Sequence, residues 1–227
     1  FLVYPFCDTR PLRALTDWLD ASSIKSFSAM LLDMYPKGRL DEEPYQAGQN
    51  PIEISSWFDS GNYTISRNRR FGNLWIQGGP RARVFFPDEP AKAPALNKVP
   101  LVKWDRRYAY VSSTHMLLPR GLNRVYDEWG GEKASGVLLH AKFLDTFSAK
   151  AAEELVRGQH YAKSIEYKTY ANNPDQNPQL WSSGSNLLAS SQYRSSHSSN
   201  MSSWNSGRKA TALSTLTKSR SSFWSRA

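Results

Sequence analysis

The chain has 227 residues, 40% of them hydrophobic and 13% aromatic, which is enough for a core and excludes a polypeptide disordered throughout. Its formal charge of +9 is unevenly spread: residues 182–227 carry six Lys and Arg and no Asp or Glu, leaving +3 on residues 1–181, which argues against a dedicated nucleic-acid surface in the body. The single cysteine, Cys7, excludes an intramolecular disulfide and a metal site built of thiolates, and no apolar run approaches the ~18 residues of a bilayer span, so no transmembrane segment is expected and the cytoplasm is the expected compartment.

Taken in chain order, FLVYP reads as a strand running off the front of the sequence, without an initiator methionine or a basic n-region. A fragment of a longer polypeptide is therefore expected. Asp8 or Thr9 then caps a helix with Pro11 in its first turn, and Leu12, Leu15, Trp18 and Leu19 fall on one face. The short apolar run from Ser26 to Tyr35, bounded by PKGR, reads as a buried strand with Asp33 as its anomalous polar residue. Residues 37–73 are rich in turn chemistry and predict an irregular region.

Strands are expected at about 74–86, 99–104, 108–118 and 136–143, with PDEPAKAPALNK and PRGLNRVYDEWGGEK as connectors. Phe147, Ala151 and Leu155 predict an amphipathic helix from Asp145 to about Tyr161, capped by Thr146 or Ser148, and SIEYKTYA a second helix before NNPDQNP. Beyond Trp181 the periodicity is lost, and 17 of the last 46 residues are serine, so residues 182–227 read as a disordered basic tail. The expected fold class is α/β or α+β, with a mixed sheet and flanking helices over residues 1–181.

Several residue types invite chemistry. Gly78 and Gly79 allow close backbone approach to a ligand, and Arg81 and Arg83, at a strand's period of two, would share one face and grip phosphate oxygens in bidentate fashion; the alternative is a turn and a solvated strand face. Lys98 and Lys103 flank VPLV with the same ambiguity. His115 closes a strand and His140 lies inside one, so each imidazole needs a backbone carbonyl or a ligand such as a divalent metal. Asp59, Asp88, Glu89, Asp127 and Glu128 are loop carboxylates, each a candidate general base or a solvated turn residue. Trp57, Phe58, Tyr63, Trp75, Trp104, Tyr108 and Trp129 suggest either a sugar-stacking cleft or core.

In order, FLVYP, LLDMYP (31–36), FD-x-x-x-Y (58–63), GGPRAR-x-FF (78–86), LNKVPLVKW, Y-x-x-STH (110–115), LLHAKFL (138–144) and E-x-x-RGQH (154–160) followed by EYKTY resemble a bacterial glycosyltransferase family related to family 2, of the GT-A type. The resemblance covers most of residues 1–181. It implies a partial GT-A-like sheet and transfer of a sugar from a nucleotide-sugar donor to a glycan or other hydroxyl acceptor, with Mn²⁺ or Mg²⁺ bridging the diphosphate. It further implies that the acidic metal motif and the nucleotide-binding half precede Phe1, so the chain alone would be inactive. On the same resemblance His140, then His115, are the candidates for a late metal-binding histidine, and Gly78, Gly79, Arg81, Arg83 and Lys98 are expected near the diphosphate or acceptor; among the loop carboxylates, Asp127 and Glu128 are the candidate bases. The alternative from a different class is a non-catalytic carbohydrate- or nucleic-acid-binding module.

Overall fold

The computed structural model describes residues 1–125, 133–158 and 161–188, except for the side chains of 161–165. The chain forms an α/β fold around a mixed four-stranded sheet. Its longest strand, β2 (Ser26–Asp33), is the apolar run singled out in the sequence and occupies an interior position. The FLVYP string supplies β1 (Leu2–Val3), which pairs antiparallel with β9 (Ser135–His140), and β9 in turn runs parallel to β2. On the other side of β2 lies β6 (Asn97–Val102), antiparallel. Gly136 of β9 is where this sheet is tightest, because a Cβ there would stand 2.5 Å from the Val3 carbonyl oxygen.

Helix α1 (Leu12–Ala21) starts after Pro11, which occupies the N-cap position that Asp8 or Thr9 was expected to take. Its buried stripe is narrower than the sequence suggests: Leu15 and Leu19 pack with Tyr4 and Phe27, whereas Leu12 and Trp18 are exposed.

The region 37–73 is more ordered than its turn chemistry implies. Asn50 caps α2 (Pro51–Ile54) by accepting from the Ile52 amide, β3 (Trp57–Asp59) follows, and β4 (Tyr63–Asn68) forms a six-residue hairpin with β5 (Asn73–Gly78). The strand expected at 74–86 therefore ends at Gly78, and Arg81–Phe85 form one π-helical turn. The expected strand 108–118 is instead a small hairpin of β7 (Ala109–Tyr110) and β8 (Leu117–Leu118), because the chain reverses at Ser112–His115 with Ser113 at φ +47°.

Helices α3 (Phe147–Arg157) and α4 (Tyr161–Ala171) occupy the predicted positions. Thr146 stands at the N-cap of α3 without a side-chain capping bond, and the Ser148 hydroxyl donates to the Gln176 carbonyl. Phe85, Phe143, Phe147 and Tyr170 form an aromatic core with centroid separations from 4.9 Å (Phe143–Phe147) to 5.7 Å (Phe85–Phe143). The body also extends past the expected boundary at residue 181, since β10 (Ser185–Leu187) pairs with β3. The disordered tail expected for residues 182–227 otherwise lies outside the described residues. No described helix is long and apolar enough to cross a membrane.

Candidate functional site

Asp33 and His140 are the last residues of β2 and β9, and the parallel register places them side by side. Carboxyl ends of parallel strands are where open α/β sheets collect ligand-binding residues. The Asp33 carboxylate is fully inside the protein, with its side chain 1% exposed, and the π-helical turn delivers the equally buried Arg81 to it. Arg81 Nε donates to Asp33 Oδ2 at 2.6 Å and Nη2 donates to Oδ1 at 2.8 Å. Four residues later on the same turn, Phe85 enters the aromatic core and anchors this presentation.

His140 Nδ1 lies 2.8 Å from Asp33 Oδ1 and 3.1 Å from Arg81 Nη2. With Asp33 ionised, only a proton on Nδ1 makes the shorter contact attractive, so His140 donates to Asp33, and in the neutral ring this tautomer leaves the lone pair on Nε2. Nε2 has no hydrogen-bond partner among the described residues, and the His140 side chain is 37% exposed. Burial alone would raise the Asp33 carboxyl, but the Arg81 charge and the hydrogen bonds from His140 and Arg81 hold it well below the usual carboxylate range. The result is an imidazole oriented from behind and open in front.

Lys142 and Glu166 adjoin this cluster. Lys142 Nζ is 3.8 Å from Glu166 Oε1 and sits 4.4 Å from the Tyr170 ring centroid. Burial, then the Arg81 charge, bring the Lys142 ammonium down to about 7, against the opposing pull of Glu166 and Asp33. The Tyr170 hydroxyl is buried with no hydrogen-bond partner among the described residues.

Arg81 and Arg83 do not share a strand face, because a helical turn sends them to different carboxylates. Arg83 makes two hydrogen bonds to Asp59, at 3.0 and 3.2 Å, and one to the Leu180 carbonyl at 2.6 Å. Tyr35 donates to the same Asp59 carboxylate, so Asp59 is a buried acceptor within the body rather than a loop base. Gly78 and Gly79 make close approaches within the chain itself: Gly78, at φ +136°, leaves room for the Asn62 carbonyl 2.1 Å from where a Cβ would be, and Gly79 faces the Tyr63 ring.

Lys98 and His115 form a separate hydrogen-bonded pair that still feels the Arg81 charge. Lys98 Nζ donates to His115 Nε2 at 3.0 Å, and His115 Nδ1 donates to the Asn97 carbonyl at 2.7 Å, so both ring nitrogens are occupied. Burial and the Lys98 charge lower His115 to about 4, leaving it neutral near pH 7. Asp88 and Glu89 are exposed, and Glu89 pairs with Lys92 at 2.7 Å. Asp127, Glu128 and Trp129 lie outside the described residues.

His140 fits a single metal ligand, with a carboxylate holding Nδ1 and Nε2 presented outward. His115 does not fit, since its Nε2 faces an ammonium. Among the described residues no group of three or more His, Cys, Asp or Glu is arranged to hold a metal ion. Nor do the described aromatic residues form one cleft. Trp57 packs edge to face on Trp181, Trp75 lies beside His115, and Trp104 stacks on Tyr110 beyond the end of β6 opposite Asp33.

No protein-family model, curated protein or solved structure matches this chain. The functional reading therefore rests on the strings quoted above and on the cluster they build. The sequence marked Asp33 only as polar in an apolar run and passed over Lys142 and Glu166, although His140 and Lys142 alternate in LLHAKF and so signal one shared side.

Proposed function

We propose that this chain is the acceptor-side part of a GT-A-type glycosyltransferase that transfers a sugar from a nucleotide-sugar to a hydroxyl acceptor. One observation carries the reading: strings that resemble the family, far apart in sequence, converge in space. LLDMYP contributes Asp33, GGPRAR contributes Arg81 and LLHAKFL contributes His140 to one hydrogen-bonded unit, with Lys142 and Glu166 of EYKTY beside it.

In this reading the buried Asp33–Arg81 pair acts as a positioning device. It fixes the His140 ring, holds its proton on Nδ1 and turns Nε2 toward the reacting groups. His140 Nε2 is the protein atom here that fits a divalent cation, and such an ion would neutralise charge on the departing diphosphate. The remaining requirement is a base that takes the acceptor hydroxyl proton, a role assigned to Asp127 or Glu128.

The test uses the full-length protein that carries this chain, assayed for donor consumption and acceptor modification over a Mn²⁺ and Mg²⁺ titration. His140→Ala is expected to lower turnover by about 10- to 100-fold and to raise the metal concentration required. Unchanged turnover and metal dependence in a folded variant would remove His140 from the site.

A further inference from the structure

The hairpin of β4 and β5 has two ends. Its base, Tyr63 opposite Gly78, lies beside Asp59 and the turn bearing Arg81; its tip, beyond Asn68 opposite Asn73, is roughly 17 Å away at ~3.3 Å per residue. At that tip Arg67, Arg69, Arg120 and Arg124, with Gly72, line one open cavity of about 590 Å³. That volume is within the range of small-molecule sites.

Four cations facing one concavity repel each other; several other exposed arginines of this protein are paired, while Arg10, Arg70 and Arg106 are exposed without an ion pair among the described residues but do not converge on a cavity. Arg13 pairs with Asp17, Arg39 with Asp175, Arg107 with Asp105, and Arg157 with Glu153 and Glu154. The cavity arginines have no ion pair among the described residues. A body that is only mildly basic thus gathers four arginines, without an ion pair among the described residues, at one place.

The frame behind these side chains is built by neutral hydrogen bonds. Asn68 Oδ1 accepts from the amides of Arg70 and Phe71 at 3.1 and 3.2 Å, and the Gly72 amide, at φ +74°, donates to the Asn68 carbonyl at 2.8 Å. Asn123, buried at 1% exposure, donates to the carbonyls of Phe71 and Leu117 and accepts from the Leu117 amide. Arg120 donates to the Arg69 carbonyl at 2.6 Å, which ties the two walls together. The loop is therefore fixed, while Arg67, Arg69 and Arg124 remain exposed with no hydrogen-bonded carboxylate among the described residues and Arg120 uses one Nη on the Arg69 carbonyl.

From this we infer a second binding site, formed by Arg67, Arg69, Arg120 and Arg124, for a ligand that carries two or more closely spaced phosphate groups. Guanidinium forks match phosphate oxygens in bidentate fashion, and several forks around one cavity favour a diphosphate over a single phosphate because each group finds its own pair of donors. The site shares no residue with the Asp33–Arg81–His140 cluster and does not depend on its assignment. The diphosphate can belong to a soluble molecule or to a lipid headgroup, and the two sources separate by experiment.

Calorimetric titration of the full chain at fixed ionic strength, with inorganic pyrophosphate and with orthophosphate, tests the site. One pyrophosphate should bind per chain, about tenfold or more tighter than orthophosphate. Arg67→Ala with Arg124→Ala should weaken it by at least about tenfold, as should Arg67→Gln with Arg124→Gln, which preserves side-chain bulk. Arg13→Ala, and Arg208→Ala with Lys209→Ala, should leave it unchanged.

Flotation with phosphatidylcholine vesicles, with and without phosphatidylinositol bisphosphate, supplies the second arm. Vesicle binding that disappears in the Arg67 and Arg124 variants assigns a headgroup; pyrophosphate binding without vesicle binding assigns a soluble ligand. Equal affinity for orthophosphate, which would indicate an adventitious ion only, overturns the inference. So do undiminished pyrophosphate affinity in both double variants and oligonucleotide binding that pyrophosphate does not displace.

Discussion

Arg81 and Arg83 stand within a few residues of a glycine pair and look, in the sequence, like the phosphate-gripping arginines; Arg67, Arg69, Arg120 and Arg124 sit in a region that reads as irregular loop and connector. In the folded protein the roles exchange. Arg81 and Arg83 are committed to Asp33 and Asp59, whereas the other four have no ion pair among the described residues and line a cavity. The difference teaches that an arginine's chemistry is set by what faces it. A buried partner turns it into scaffold, and an open concavity with no described carboxylate against it leaves it available to a ligand.

The largest effect that sharpens this contrast comes from breaking the buried pair. Arg81→Met leaves the Asp33 charge uncompensated and is expected to destabilise the chain by about 3–5 kcal/mol in urea unfolding, while Arg67→Ala should change stability by no more than about 0.5 kcal/mol. Equal effects from the two substitutions would erase the distinction between scaffold and ligand-facing arginines.

Next in size is Gly78→Ala, expected to cost about 2 kcal/mol or more by the same measurement. The added methyl group meets the Asn62 carbonyl and a backbone at φ +136°, and so pushes apart the base of the hairpin on which both arginine sets depend. Gly72→Ala meets only the Arg120 carbonyl at 3.8 Å, but its φ of +74° carries a backbone penalty of about 1 kcal/mol.

The pH dependence separates the regions further. Lys142 has a folded value near 7, below its ordinary 10.5, so the unfolded chain binds more protons in that window and stability contributed by neutral Lys142 is lost as pH falls from about 10.5 to 7. His115, lowered from 6.5 to about 4, acts in the same direction from about 6.5 to 4. Asp33 is depressed as well, so its contribution is present above the unfolded carboxylate value and is lost below it. His115→Gln should flatten the stability profile between pH 4 and 6.5, read by urea midpoints at successive pH values. The double substitution Arg67→Ala with Arg124→Ala should leave the shape of the whole profile unchanged, the smallest effect of the series.

Elements with strong periodicity were legible in the sequence, and those set by distant partners were not. The apolar run of β2 and the Phe147–Ala151 face of α3 are intrinsic patterns and occur where they were expected. The β4–β5 hairpin was obscured because its outward positions and turn hold the charged run RNRR, which resembles loop chemistry. Arg81 and Arg83 misled because alternation was read as a strand, when Phe85 had to enter an aromatic core supplied by Phe143, Phe147 and Tyr170. Histidines were legible as candidates, but their standing was not: only the partners across space, Asp33 for His140 and Lys98 with Asn97 for His115, distinguish an open Nε2 from an occupied one.

That distinction is the centre of the account, and imidazole nitrogen NMR on ¹⁵N-histidine-labelled protein at neutral pH tests it most directly, with His140→Gln providing the assignment. The account predicts the tautomer with the proton on Nδ1 for His140 and a free lone pair on Nε2, shifted by added Mn²⁺ or Mg²⁺. A proton resident on Nε2, with Nδ1 unprotonated against Asp33, would contradict it.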